Sequence, residues 1–410
     1  MSRKLHSIIL ATLGVFLLSG LVGCDREPAK DFRVLRVGVI ASLSGPARAW
    51  GLTTVRCAQV IADYHNERGG FDVEGEKVRI ELIVRDDAFD ASKAAAIAYD
   101  LTMDGVNYVI GPLGDAPVLA ASRVLDGAGV LYVHYGFIQE VQSANSLGVL
   151  GLPLPEQSLP VLFRHLRDEQ EVSSVLIMAY GTEEGIQQKG VAENVAKAEG
   201  LELVPLARFD VSEETFDPNL NSEKIRRRVD RVVAASPDAL ILTGCPPESF
   251  VVLVDRLRSG GYNGFICTQN SQDPVSLALM GEASDRVYYL GGFSADELRS
   301  DYYAELKDRY LNVADTWSTE ADTKLYALEL ILACIRHAGS VALDQPSVMY
   351  RVIQEIRFED PFYKEPRMIP IIGGLEDGIP RQILTPVRIS KMSGGEAILV
   401  EETMGGVVAR

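Results

Sequence analysis

The chain predicts an α/β fold of two doubly wound lobes, and three observations lead there. From Val34 onward, short apolar runs alternate with stretches of helical period. The runs are continuous rather than alternating in polarity, which is how strands covered on both faces of a parallel sheet read. The pattern breaks at Leu150-Gly151-Leu152-Pro153-Leu154-Pro155 and then restarts, so the strands divide between two sheets.

Strands are expected at Val34 to Ile40, Val78 to Val84, Tyr108 to Gly111, Val130 to Val133, Val175 to Tyr180, Leu201 to Leu206, Ala239 to Thr243, Gly264 to Thr268 and Val287 to Leu290. Helical periods run over Ala58 to Asn66, Ala91 to Met103, Val118 to Leu125, Gln157 to Asp168, Gly185 to Ala198, Glu223 to Ala235, Ser249 to Ser259 and Val275 to Met280. Asp273-Pro274 places proline in a first turn, and Gly127, Gly200 and Gly260-Gly261 follow helix ends. A second linker is expected at Leu290-Gly291-Gly292-Phe293. Three more helices follow, among them the apolar Thr323 to His337, and then a tail punctuated by Pro and Gly to about Ala397. Ligands of open α/β sheets bind beyond the carboxyl ends of the strands, so two lobes joined by crossing linkers present a shared cleft.

The amino terminus carries its own message. Arg3-Lys4, the apolar run Ile8 to Leu21 and the small-residue end Leu21-Val22-Gly23-Cys24 form a secretory leader. The run is short against the roughly 20 apolar residues of a spanning helix. Cys24 at the cut resembles a bacterial lipobox, which implies cleavage before Cys24, acylation of its thiol and tethering to a membrane. Asp25 resembles an inner-membrane retention signal, so the expected location is the periplasmic face of that membrane, or the cell surface of a Gram-positive organism. Two acyl chains anchor stably where one binds only marginally.

Composition narrows the partners. The leader holds two of the 40 basic residues and no acid, leaving 38 Lys and Arg against 57 Asp and Glu, a formal charge of −19. Such a surface repels phosphate backbones, so nucleic acid is excluded as a partner. Four cysteines besides Cys24 are too few for a disulfide scaffold in so long a chain. Cys57 and Cys334 read as buried small hydrophobes, while Cys245 and Cys267, near the ends of neighbouring strands, are either bridged or free. None of the five His stands in metal-ligand spacing, and neither metal nor cofactor is expected. No phosphate loop, nucleophile elbow or zinc-protease helix is present. The adjacent carboxylates Asp86-Asp87 follow a strand and point apart, unlike an acid/base pair. No enzyme is expected. Arg226-Arg227-Arg228 with Arg231 reads as a solvated helix face balanced by Glu223, Asp230 and Asp238.

Val37-Gly38-Val39-Ile40 running into Ala41-Ser42-Leu43-Ser44-Gly45-Pro46 and Trp50-Gly51 resembles the opening of the periplasmic leucine/isoleucine/valine-binding protein family. So do Asn66-Glu67-Arg68-Gly69-Gly70, Arg85-Asp86-Asp87-Ala88, Tyr108-Val109-Ile110-Gly111-Pro112-Leu113 and Leu325-Tyr326-Ala327. The resemblance implies a type I solute-binding protein, with two Rossmann-like lobes, three hinge crossovers, closure around a small molecule and delivery to the permease subunits of an ABC importer. It partitions the chain into a signal peptide (1–23), a tether (24–33), a first lobe (34–153 and 292–375) and a second lobe (154–291 and 376–405).

The site residues implied by the resemblance depart from the amino-acid-binding pattern. Where that pattern has hydroxyl donors for a ligand carboxylate, this chain has Asp115-Ala116, and the next strand leads into Tyr135-Gly136-Phe137. An ionised Asp115 repels a carboxylate and cannot donate to it; alternatively or in addition it caps the helix at Pro117-Val118. Glu184 falls where an aromatic is expected and Gln269 near an expected carboxylate, with Asn270 beside it. Phe89 and Gly114 replace the two cysteines that well-known members pair. Trp50 and Phe137 make an aromatic wall or pack within the lobe, and Cys245 completes the candidate set. These changes predict an amine, an amide or an amino-acid derivative as ligand. A lipoprotein sensor that signals to a membrane receptor or kinase would use the same fold.

Overall fold

The computed structural model describes residues 32–137, 146–204, 215–217, 219, 223–292, 296–318, 320–374 and 379–404. Cys24, with the leader and tether before residue 32, lies outside them, as do Phe293 and the end of the strand expected at Leu201 to Leu206.

The first sheet begins with β1 (Arg33–Ala41), α1 (Arg48–Glu67), β2 (Phe71–Val73), β3 (Glu76–Asp86), α2 (Ala91–Met103), β4 (Tyr108–Leu113), α3 (Asp115–Gly127), β5 (Leu131–Tyr135) and β6 (Gly148–Leu150). The chain then crosses to α4 (Pro155–Gln170), β7 (Ser174–Tyr180), α5 (Glu183–Ala198), β8 (Glu202–Leu203), β9 (Thr215–Phe216), α6 (Glu223–Ala235), β10 (Ala239–Thr243), α7 (Pro247–Ser259), β11 (Phe265–Ser271), α8 (Pro274–Ala278) and β12 (Val287–Leu290). It returns through α9 (Asp301–Leu311), α10 (Ala321–Ala338), α11 (Met349–Glu355), β13 (Arg357–Glu359), β14 (Met368–Gly374) and β15 (Ile379–Ile383). It ends with β16 (Pro386–Ser393) and β17 (Glu396–Met404).

Strand order is β13-β14-β15-β6-β5-β4-β1-β3-β2 in one sheet and β17-β16-β12-β11-β10-β7-β8 in the other, with β9 also on β7. The pairs among β1, β4, β5 and β6, and among β7, β10, β11 and β12, are parallel. Every residue of β4, β5 and β10 is buried, which is why these segments lack polar alternation. Each sheet has a core on either face: α1 and α10 pack over one side of the first and α2 and α3 over the other, while the second lies between the α6–α7 and α4–α5 layers.

Three expectations are corrected. The carboxyl-terminal tail is a set of strands, because its prolines fall where a ladder tolerates them: Pro386 opens β16, and β14 and β15 lie near one edge. The sheets are therefore mixed, with antiparallel β13–β14–β15 and β12–β16–β17 added to the parallel centres. Residues 379–383 belong to the first sheet, since β15 pairs with β14 and lies parallel to β6. The last crossing is thus Leu384-Thr385, not the expected boundary between residues 375 and 376.

Candidate functional site

The cleft is built from loops at the carboxyl ends of the strands. At the end of β3, Asp86 accepts from the Leu43 amide (2.8 Å) and the Ser44 hydroxyl (2.8 Å) of the β1–α1 loop, and buried Asp87 accepts from the Ser42 hydroxyl (2.7 Å) and the Phe89 amide (2.9 Å). The two carboxylates tie neighbouring loops and do not converge. They hold the start of α1, where Trp50, 9 % exposed, lines the cleft and packs in the first lobe's core. Its indole N–H donates to the Ser271 carbonyl of the opposite lobe at 2.9 Å. The Ala49 amide donates across the cleft to Glu248 Oε1 (3.1 Å).

Asp115 is not the helix cap that its position suggests. Gly114, with φ +80°, takes the N-cap place, so Asp115 is the first helical residue and its Oδ1 turns to accept from the Phe137 amide at 2.7 Å. Gly136 is packed against this contact: a Cβ there would stand 3.1 Å from Asp115 Oδ1. Phe89 lies on Gly114, whose Cβ would meet the ring at 2.6 Å, so the two residues that replace the family's cysteine pair are sterically matched.

From the second lobe, Thr182 caps α5 by accepting from the Gly185 amide, and the Thr243 hydroxyl donates to the Gly185 carbonyl at 2.7 Å. This places Glu184 opposite Asp115: the Asp115 amide lies 3.4 Å from Glu184 Oε2. Glu184 Oε1 accepts from the Gln188 amide group (3.0 Å), and Gln188 Oε1 in turn accepts from Gln269. Burial and then the Asp115 charge push the Glu184 carboxyl up to about 8, and burial raises Asp115 to about 6 despite the Phe137 amide. Both folded values lie above the unfolded ones. Their stabilising effect is complete below the ordinary carboxylate range and is lost as pH rises through about 6 and then about 8. The melting temperature of the wild type is therefore expected to fall relative to Glu184→Gln between about pH 5 and 8; parallel pH profiles for the two proteins would refute the assignment.

Trp50, Tyr135, Phe137, Glu184, Gln269 and Asn270 all line one narrow cavity of about 50 Å³. Phe137 and Glu184 also line a wider groove of about 830 Å³ between α3 and α5, and Asp115 and Ala116 face that groove. Cys245 is the one candidate held away from the cleft. It is fully buried in the second lobe's core, with its thiol directed to the Pro246 carbonyl at 3.8 Å, because the end of β10 turns it toward α7. Cys57, Cys245, Cys267 and Cys334 are free thiols, which resolves the open pairing of Cys245 and Cys267. No group of metal-binding side chains exists among the described residues.

Sequence reasoning missed Glu320 and Lys324, which enter the same cavity from the start of α10. The available signal was a Glu and a Lys one turn apart at the head of an otherwise apolar helix. Lys324 is 2 % exposed, and its ammonium lies 3.1 Å from the centroid of the Tyr135 ring.

Two lobes, three crossings and a cleft lined from both sides make the architecture of a two-lobe binding protein. The chain belongs to the periplasmic binding protein family, whose model it matches from residue 34 to 390. It is similar to the Leu/Ile/Val-binding protein BraC3 of Rhizobium johnstonii, 36% identical over 99 residues that make up 24% of this chain and 26% of the relative. Its fold is like that of the leucine-binding protein LivK of Thermotoga maritima (TM-score 0.73, 16% identity, 90% of this chain and 98% of the other). It is also like a solute-binding protein of R. palustris in complex with 4-hydroxybenzoate (TM-score 0.71, 16% identity, 91% and 97%). The chain spans about a quarter to a third of the length of the curated relatives it matches.

Proposed function

We propose that the protein is a lipid-anchored solute-binding protein, tethered through Cys24 outside the cytoplasm, that captures a small polar ligand carrying an amine or amide group and delivers it to the permease of an ABC importer. The meeting of Asp115 and Glu184 from opposite lobes carries this reading. Glu184 reaches the Asp115 backbone amide, and burial together with the nearby Asp115 charge raises the proton affinity of the Glu184 carboxyl. A ligand N–H placed between the lobes would relieve that conflict and favour the closed form, as differential affinity requires. Trp50 and Phe137 supply apolar walls, and Gln269 and Asn270 are polar orienting groups of the kind found in largely preformed pockets. Family membership supports solute capture, and the relatives named for leucine, isoleucine and valine support an amino-acid-like scaffold.

The test is the melting temperature of the chain lacking residues 1–24 against amino acids, amides, amines and small carboxylates. A ligand that binds only the folded state at 100 times its Kd adds about 2.7 kcal/mol. A rise with an amine or amide, lost in Asp115→Asn combined with Glu184→Gln, is the expected result. A response to leucine or valine that ignores this double substitution would overturn the ligand class.

A further inference from the structure

We infer that Lys324 is a specificity-determining residue that receives an anionic group of the ligand, so the solute carries a carboxylate as well as the amine or amide of the preceding reading, on which this inference partly rests. Lys324 forms no ion pair with any described carboxylate and is packed against the face of Tyr135. A ring face attracts an ammonium but offers only a few kcal/mol at most, whereas desolvating an unpaired charge costs several. Burial accordingly pulls the Lys324 ammonium down to about 8.

Glu320, one turn earlier, offsets this only in part, its charge raising the Lys324 ammonium by less than burial lowers it. No ion pair within 4 Å joins the two, Glu320 Oε2 makes no hydrogen bond, and the carboxyl is raised by burial more than the Lys324 charge lowers it. The Ser271 hydroxyl, from the opposite lobe, is the other group acting on that carboxyl. Two more buried polar atoms on the cavity wall are unpaired, the Tyr135 hydroxyl and Gln269 Oε1. Buried polar groups are satisfied in the great majority of cases, and three of the exceptions, Glu320 Oε2, the Tyr135 hydroxyl and Gln269 Oε1, belong to the wall of one cavity that also holds a cation. A carboxylate at Lys324 supplies the missing counter-charge and accepts from the Tyr135 hydroxyl, while Gln269 Oε1 is left to accept from a ligand donor. The acidic Asp115 and Glu184 then face the opposite character in the same molecule.

Three small probes separate the two ends: β-alanine, ethylamine, which lacks its carboxylate, and propionate, which lacks its amine. Thermal shifts are measured on the chain without residues 1–24, as wild type, Lys324→Met, Lys324→Arg and Asp115→Asn. Wild type is expected to bind β-alanine more tightly than either part. Lys324→Met should lose roughly tenfold or more for β-alanine and propionate, keep its ethylamine response, and melt no lower without ligand, since an apolar replacement for an unpaired buried charge is neutral or stabilising. Lys324→Arg should retain the carboxylate response. If β-alanine and propionate fail to distinguish wild type from Lys324→Met, or if Lys324→Met simply unfolds while Lys324→Arg ignores carboxylates, the inference is overturned. If propionate responds through Lys324 but ethylamine and Asp115→Asn change nothing, the anion site stands and the amine reading falls.

Discussion

Asp322→Ala is expected to lower the melting temperature by on the order of 10 °C. Asp322 is fully buried, and its two oxygens are shared out completely. Oδ1 accepts from the Tyr303 hydroxyl and the Trp317 indole (3.2 Å), and Oδ2 accepts from Arg299 and lies 3.8 Å from Arg388. Arg388 stands on β16 in the second sheet, whereas Asp322 and Arg299 belong to the returning part of the first lobe. Arg388 donates further to the Tyr363 hydroxyl (2.8 Å) and to Glu402 (3.3 Å). The network thus fastens the crossing strands together. Removing the shared anion leaves the Arg299 guanidinium buried without its counter-charge and Arg388 with Glu402 alone, and about 3–5 kcal/mol is typical of a broken buried pair. Asp322→Asn keeps the shape and part of the bonding and should lose less. Thermal melts followed by circular dichroism check both, and a loss of under a few degrees for the alanine variant would show that Tyr363 and Glu402 suffice.

Gly51→Ala is the second large effect. A Cβ at Gly51 would stand 1.9 Å from the backbone oxygen of Ser42 and 2.5 Å from its carbonyl carbon. The obstacle is main chain, held in place by the Asp86 and Asp87 contacts to Ser42, Leu43 and Ser44. No rotamer relieves it. The helix start must move away by about an ångström or the loop must give, at a cost at or above the 1–3 kcal/mol typical of overpacking. Trp50 moves with the helix, so its bond to Ser271 is strained at the same time. The expected outcome is a lowered melting temperature together with weakened response to every ligand the wild type binds. A variant that melts as the wild type does would mean that α1 can shift freely, and full ligand response would mean that Trp50 does not set the cleft.

The lining of the candidate cleft was legible in the sequence where chemistry and position coincide. Trp50, Tyr135, Phe137, Gln269 and Asn270 stand in the last residues of a strand, just after one or in the first turn of a helix, and the two-lobe topology brings such places together. Asp115 stood out as an acid in the wrong place for a carboxylate ligand, but its partner could not be read. Its carboxylate accepts from Phe137, 22 residues away, because α3 begins one residue earlier than a capping role requires. Cys245 misled for the reverse reason. It ends a strand near the cleft, yet the chain turns its thiol inward.

Local pattern alone determined the α/β class, the two sets of parallel strands, the main helices and the break at Leu150 to Pro155. Continuous apolar runs and helical periods record hydrophobicity within one element, and hydrophobicity is a property each residue carries by itself. The extent of α1 was hidden because Gly51, Thr53 and Thr54 are buried without being apolar. Tertiary structure decided the rest. β15 joins the first sheet beside β6, 229 residues earlier by the Leu150–Ile379 spacing, through backbone hydrogen bonding that leaves no side-chain signature. The α10 face bearing Glu320 and Lys324 becomes a cleft wall only because the second lobe lies across it, and Asp322 becomes a hinge anion only because β16 delivers Arg388 to it. Hydrophobicity is local and additive along a chain. Which charges meet in a desolvated space depends on how distant segments are brought together.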